Sequence, residues 1–284
     1  MSTTTVTPPE AGVAPPGPRS MRERIEALPT WAGGLVGTLA ILVLWWLASA
    51  FLFQSSRSVP SPFAVLALFF SPSEWQNTVA NGTGTLASAA LGYLWGNLAA
   101  LALAVVVLLL PALEQVATQI AIVTYCMPLV AIGPILVIVA GRDHPQGASV
   151  VLAALSVFFT SVVGALLGLR AASPTSLDLV RAYGGRRWTE LRKVQLVAAL
   201  PNLFAALKIA APAAFLGAVL AEYLGSGGDA SIGRALIAAQ SSSDGVRLWY
   251  LALVCGAVAG LAYFLIGMVS RVVTPWSSGQ GTDR

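Results

Sequence analysis

Ionisable residues are scarce in this sequence, so each one set among apolar neighbours is a candidate for function. Glu222, Lys208 and Glu114 stand inside or at the edge of long apolar runs. A charge in hydrocarbon is costly unless it is paired or reaches water, so such residues face a partner, a cavity or the interface. Glu222 and Lys208 are therefore candidates to line a solute path, together with the polar or polarisable Asn97, Tyr125, Met127 and Gln119. The plainer alternatives are a helix–helix pair for the carboxylates and an amine that snorkels to water for Lys208.

Catalytic chemistry finds no support. There is no GxxxxGK[ST] loop to cradle ATP phosphates. Leu224-Gly225-Ser226-Gly227-Gly228 is glycine-rich but has no lysine, and it reads as a flexible external loop. The single histidine, His144, follows Asp143 without a serine or cysteine nucleophile nearby. Cys126 and Cys255 lie in apolar runs, lack a CxxC partner and read as small core residues. No catalytic residue, metal site or cofactor is expected.

A different kind of site is suggested by TSLDLVRAYGGRRWTELRK at 175–193, within the one long charged connection, 170–193. Ser173 or Thr175 can cap a helix that starts near Pro174. Leu177, Val180, Arg181 and Gly184 recur at i, i+3, i+4 and i+7, and Gly184 and Gly185 then break the helix. A second short helix carries Trp188, Leu191 and Val194 on one face. Two short amphipathic helices meeting at a glycine pair suit a docking knob, because glycine lets a tight turn or a partner surface come close. The plainer reading is a hairpin that returns the chain. Asp178, Leu179, Val180, Gly184, Gly185, Arg186 and Trp188 are the residues on which the docking reading rests.

The elements that position these residues follow from composition. Of the 284 residues, 56% are hydrophobic and 10% charged, with a mean hydropathy of +0.77. Soluble domains carry about 25% charged residues, so an ordinary soluble enzyme is excluded, and the basic balance of +4 has no solvated face on which to read nucleic acid. The Thr/Pro/Ala-rich residues 1–20 read as a disordered tail, and the apolar run that follows is longer than the core of a secretory signal. Six apolar spans are expected, near 31–53, 84–110, 116–139, 148–169, 194–224 and 247–270. Residues 54–83 read as a polar connection with a short helix from Pro62 to Phe70 and Trp75 as an interfacial anchor. Gly92 and Gly96 form a GxxxG that permits close helix packing. Pro128 and Pro134 are expected to bend the third span, and the fifth is too long for one simple crossing. The membrane domain is placed at 21–275, with a short tail at 276–284.

Six spans put both termini on one side. That side carries twelve of the sixteen Lys/Arg, against four (Arg57, Arg142, Arg234 and Arg247) on the other. By the positive-inside rule the first side is cytoplasmic, which makes this a multi-pass plasma-membrane protein.

At this point the motifs carry a resemblance. The chain resembles the membrane permease subunit of a binding-protein-dependent ABC importer, in the group serving nitrate, sulfonates and taurine, over about residues 59–270. That family has a cytoplasmic motif of an acidic residue, two small or apolar residues, a glycine six after the acid and a later proline. Asp178, Leu179, Val180 and Gly184 match it, with Asp178 for the usual glutamate and Leu179-Val180 for the usual alanine pair. Leu200-Pro201 matches downstream, whereas Val197 stands where a nearer proline is common. Pro60-Ser61-Pro62, Ala221-Glu222-Tyr223 and Gly233 also resemble the family pattern. The resemblance implies an all-α type I importer fold and a permease dimer. It also implies two cytoplasmic ATP-binding subunits that hydrolyse the nucleotide, and an extracytoplasmic solute-binding protein. The 170–193 loop would be its coupling element, and the cargo a small, possibly anionic solute. An ion-coupled secondary transporter is the alternative.

Overall fold

The structure is a computed structural model that describes residues 30–53, 59–141, 144–228 and 230–276. The expected tail at 1–20, the charged lead-in to the first span, Arg57, Arg142, Asp143 and residues 277–284 lie outside the described residues. Every regular element among the described residues is helical.

The described residues up to Pro62 belong to a unit of their own. Its helix α1 (Thr30–Leu47) passes into a π turn, Ala48–Leu52. Together they give 21 apolar residues, Ala32–Leu52, long enough to cross a membrane. The Trp45 Nε1 donates to the Pro60 carbonyl at 3.1 Å and Ser49 Oγ to that of Val59 at 2.9 Å, which folds the following chain back against the end of this helix.

The second unit, from Phe63 onward, is a helical bundle. Helix α2 (Pro62–Phe69) is the short helix expected from Pro62. Helix α3 (Pro72–Leu109) is one continuous rod of 38 residues. It begins twelve residues before the predicted start at Gly84, so residues 72–83 are the opening turns of a helix rather than a polar connection. Pro72 suits the first turn, and the polar residues there find partners: Thr78 bonds the Tyr250 hydroxyl at 3.1 Å and Glu74 pairs with Arg247 at 3.2 Å. Trp75 sits in that first turn, exposed.

The third span is broken in two. Helix α4 (Glu114–Cys126) and helix α5 (Leu129–Ala140) meet at 91° around Met127 and Pro128. Proline clashes with a helical conformation at the residue before it, and Met127 is extended, with ψ 124°. The two halves nonetheless traverse the bundle. Glu114 at one end contacts Arg170, while Ala140 at the other lies against Gly147. Helix α6 (Gly147–Leu169) runs the whole way between those two points. Among the described residues five helices are long and apolar enough to cross a membrane, and six crossings result if the bent pair counts as one broken span.

After α6 come α7 (Pro174–Ala182) and α8 (Arg187–Glu190), then a π turn at Leu191–Gln195 and α9 (Leu196–Tyr223). From Arg187 to Tyr223 the chain is helical without a gap for 37 residues, about 55 Å at 1.5 Å per residue, which is why the fifth span looked too long. Pro212 leaves one carbonyl of α9 without its helical donor, and Tyr93 donates to the neighbouring Leu207 carbonyl at 3.2 Å. The polar stretch at 230–246 is largely helical. It holds α10 (Ile232–Ser241), capped by Ser231 Oγ, before α11 (Gly245–Val273) completes the bundle.

Small residues set the packing. A Cβ on Gly92 would lie 2.7 Å from the Val150 carbonyl, and one on Gly96 2.6 Å from that of Ala154, so the GxxxG of α3 rests directly on α6. Gly164 and Gly168 of α6 meet Ala206 and Ala199 of α9 in the same way. Between helices in a membrane, close backbone approach and dispersion replace the hydrophobic effect as the source of stability.

Candidate functional site

The 170–195 hairpin is built by local chemistry. Ser173 is extended, and its Oγ accepts from the Ser176 amide at 3.2 Å, capping α7. At the far end Gly184 takes φ +74°. The Gly184 amide donates to the Arg181 carbonyl at 2.9 Å and the Gly185 amide to that of Val180 at 2.8 Å. This is a Schellman cap, which needs a left-handed residue at the position of Gly184. Gly185 has a different reason to be glycine, since a Cβ there would lie 2.6 Å from the Val180 carbonyl. Of the two roles open to these glycines from sequence, a tight turn or a close partner surface, the fold shows the turn.

Arg181 then clamps the hairpin. It donates to both oxygens of Glu190, at 2.8 and 3.3 Å, and to Asp178 at 3.3 Å. Glu190 is buried, and its hydrogen bond to the Arg181 guanidinium holds its carboxyl below the usual carboxylate range despite that burial. Arg187 donates to the Leu108 carbonyl at 3.2 Å, tying the hairpin to the end of α3. From sequence Arg181 was read only as part of the face of the first short helix, and Glu190 was not singled out. The available signal was an arginine and a carboxylate on opposite flanks of a glycine pair.

On this fixed frame several large side chains point outward. Leu179 is 59% exposed, Trp188 69% and Tyr183 86%. Asp178, Gly184 and Arg186 are exposed beside them, whereas Val180 and Gly185 are half-buried within the turn. Next to the hairpin, Glu114, Gln115, Thr118, Gln119 and Arg170 line a polar groove of about 870 Å³, crossed by the Glu114–Arg170 ion pair.

The candidate path residues are scattered over different neighbours. Asn97 is buried between α3 and α6, where Ser161 Oγ donates to its Oδ1 at 2.5 Å and its own amide donates to the Tyr93 carbonyl at 2.7 Å. Tyr125 stacks on Phe159 with ring centroids 4.5 Å apart, and Met127 is exposed at the break between α4 and α5. Lys208 lies along α11, its amine 5.2 Å from the centre of the Tyr263 ring and its stem against Gly267. Glu222 is 1% exposed. Its Oε2 accepts from Thr85 Oγ1 at 2.8 Å and from the Gly233 amide at 3.1 Å. Thr85, which had no place in the sequence reading, also accepts from the Ile232 amide at 3.1 Å.

The comparisons with known proteins agree with this architecture. Residues 92–278 match the family described as binding-protein-dependent transport system inner membrane component. A probable ABC transporter permease protein of Haemophilus influenzae is 31% identical over 194 residues, 68% of this chain and 76% of that one. The riboflavin transport system permease protein RibX of Chloroflexus aurantiacus is 27% identical, covering 86% and 90%. The putative aliphatic sulfonates transport permease protein SsuC of Bacillus subtilis is 23% identical, covering 87% and 88%. Among solved structures, inward-facing MetNI methionine ABC transporter has the same fold at a TM-score of 0.57 and 19% identity, over 72% of this chain and 99% of that one. An amino acid ABC transporter matches at 0.57 and 16%, over 70% and 94%. With its family match over most of the bundle, its helical membrane fold and its charged hairpin between two long helices, the chain belongs to the binding-protein-dependent transport system inner membrane components, the permease subunits of ABC transporters.

Proposed function

We propose that this permease carries a small organic solute inward, as one of a pair of membrane subunits. Separate ATP-binding subunits dock at the hairpin end, and a solute-binding protein docks at the end formed by residues 144–147 and 230–245. The observation that carries the reading is the hairpin: Leu179, Tyr183 and Trp188 are left uncovered on a turn that Arg181, Glu190 and the Schellman cap hold in place. Exposed aromatic and apolar side chains on a fixed frame suit burial in a partner. The frame continues without a gap into α9, so force applied at the hairpin reaches the membrane span directly.

A cytoplasmic hairpin end is supported by Arg170, Arg181, Arg186, Arg187, Arg192, Lys193 and Arg271, which gather there, against Arg234 and Arg247 at the other end, among the described residues. Relatives named for riboflavin, aliphatic sulfonates and formylaminopyrimidine support an organic solute. An anion is the narrower form of this reading, with Lys208 as its cation.

The test is affinity purification of the tagged chain from its native membrane. An ATP-binding subunit is expected to accompany the wild type. Replacing Leu179→Asp and Trp188→Asp together is expected to remove it while leaving the thermal stability of the membrane bundle unchanged. Normal recovery of the ATP-binding subunit with that double variant would show that the hairpin surface is not the docking site.

A further inference from the structure

The buried Glu222 is the one carboxylate deep in the bundle whose recorded partners are a hydroxyl and an amide rather than a cation, among the described residues. Both partners converge on one oxygen, and they come from two different elements: Thr85 from α3 and Gly233 from the first turn of α10. Thr85 in turn holds the Ile232 amide, so the first two amides of α10 are both consumed by this cluster. The packing is equally close. A Cβ on Gly233 would lie 2.4 Å from Glu222 Cβ and 2.5 Å from the Tyr223 nitrogen, so α10 starts in direct contact with the last turn of α9. A second tie sits at the other end of α10, where the Tyr223 hydroxyl donates to Gln240. The intervening loop is fastened too: the Gly227 amide donates to the Pro145 carbonyl at 2.6 Å, and Ser226 bonds Ser149.

These contacts make α10 ride on α9. Helix α9 is the far part of the 37-residue run that begins in the hairpin at Arg187. The hairpin thus adjoins the first turns of this run, and α10 packs on its last turn, at the opposite end. The outward side of α10, with Arg234, Gln240 and Ser241, is exposed there.

We propose that Glu222 is a positioning residue for communication between the two ends of the transporter. Its carboxyl oxygen locks α10 onto α9 and α3, so that the face met by the solute-binding protein moves with the hairpin that meets the ATP-binding subunit. This inference rests on the importer reading above. It assigns Glu222 a role in coupling rather than in contacting the solute, and it gives Thr85 the relay position between Glu222 and Ile232. Because both hydrogen bonds end on one oxygen, a glutamine carbonyl can replace that oxygen, whereas leucine cannot.

The experiment uses the complex that the wild-type chain retains in pull-downs, reconstituted in vesicles. ATP hydrolysis is measured with and without the solute-binding protein, and amide exchange is followed at residues 231–241. Thr85→Val and Glu222→Leu are each expected to leave basal hydrolysis within about 2-fold of wild type and to reduce stimulation by the binding protein about 5-fold or more, the scale of losing one or two net hydrogen bonds. Exchange at 231–241 is expected to rise about 10-fold in both, as local opening becomes easier, and to stay unchanged in the hairpin. Glu222→Gln is expected to restore stimulation. Full stimulation in Thr85→Val and Glu222→Leu despite faster exchange would overturn the proposal. So would a parallel loss of basal hydrolysis in both variants, the mark of a residue that only holds the bundle together. A wild-type chain that retains no ATP-binding subunit would instead overturn the importer reading, a result separate from the other two.

Discussion

Gly184 shows how a single backbone position shapes the proposed docking surface. Its φ of +74° is a conformation that costs other L-residues about 1–2 kcal/mol, with asparagine among the least penalised. No atom lies within 4 Å of where its Cβ would be, so substitution brings conformational strain without a clash. Gly184→Ala is expected to loosen the hairpin by about 1 kcal/mol and Gly184→Asn by less, read as faster amide exchange at 178–190. Equal effects of the two would show that the left-handed cap is not what fixes the turn. The Arg181–Glu190 pair adds a pH dependence of definite sign. The folded carboxyl of Glu190 is held below its unfolded value, so the contribution of the pair is complete above the ordinary carboxylate value of about 4.3 and is lost as pH falls through the lower folded value. Exchange at 187–190, corrected for its intrinsic pH dependence, is expected to stay flat from neutral pH down to about 4.3 and to rise below it. Glu190→Gln is expected to abolish that step. A step already present between pH 7 and 5 would assign it to another group.

At the scale of elements, the break between α4 and α5 separates local from tertiary causes. Pro128 disfavours a helical Met127, while the two half-helices are also held separately, α4 through Glu114 and Arg170 and α5 through the contact of Gly133 with Leu224. If proline alone sets the bend, Pro128→Ala lets the helix run through. The Cα separation between residues 118 and 138 then grows from about 20 Å across a right-angled bend to about 30 Å along a straight helix, taking 1.5 Å per residue. Spin labels at those two positions read the difference directly. We expect lengthening, together with reduced uptake. An unchanged distance would place the cause of the bend in the neighbouring helices. Helix α3 teaches the converse lesson. Its first three turns are polar, yet they stay helical because Thr78 and Glu74 are satisfied by Tyr250 and Arg247 of α11, more than 170 residues later in the chain.

For the molecule as a whole, the two ends of the bundle are chemically unlike. One gathers most of the described arginines and lysines around the hairpin, and the other is stitched by hydroxyl, amide and carboxyl hydrogen bonds around α10. The orientation proposed from that asymmetry predicts a labelling pattern. With Cys126 and Cys255 replaced, a cysteine introduced at Ser242, which is exposed beyond α10, is expected to react with an impermeant maleimide in intact cells. One at Arg187 is expected to react only after the membrane is opened. Labelling at 187 with protection at 242 would reverse the orientation, and with it the assignment of partners to the two ends.

Sequence by itself determined the class of molecule and most of its crossings, because hydrocarbon demands long apolar helices whatever else the chain does. It also located the hairpin, because Ser173, Pro174 and the Gly184-Gly185 pair are local signals whose effect is complete within a few residues. The family resemblance rested on the same local motifs, and the relatives bear out its coarser part, an ABC permease. What the sequence could not determine was which polar residues face one another. Glu222 read as a candidate for a solute path because a buried charge needs a partner; only the tertiary fold brought Thr85, 137 residues earlier, and the start of α10 onto its carboxyl. The loop read as flexible at 224–228 is likewise held by Pro145 and Ser149, from another connection and another helix. Spans and turns depend on interactions within one segment, whereas the satisfaction of a polar group in the membrane depends on helices far apart in the chain.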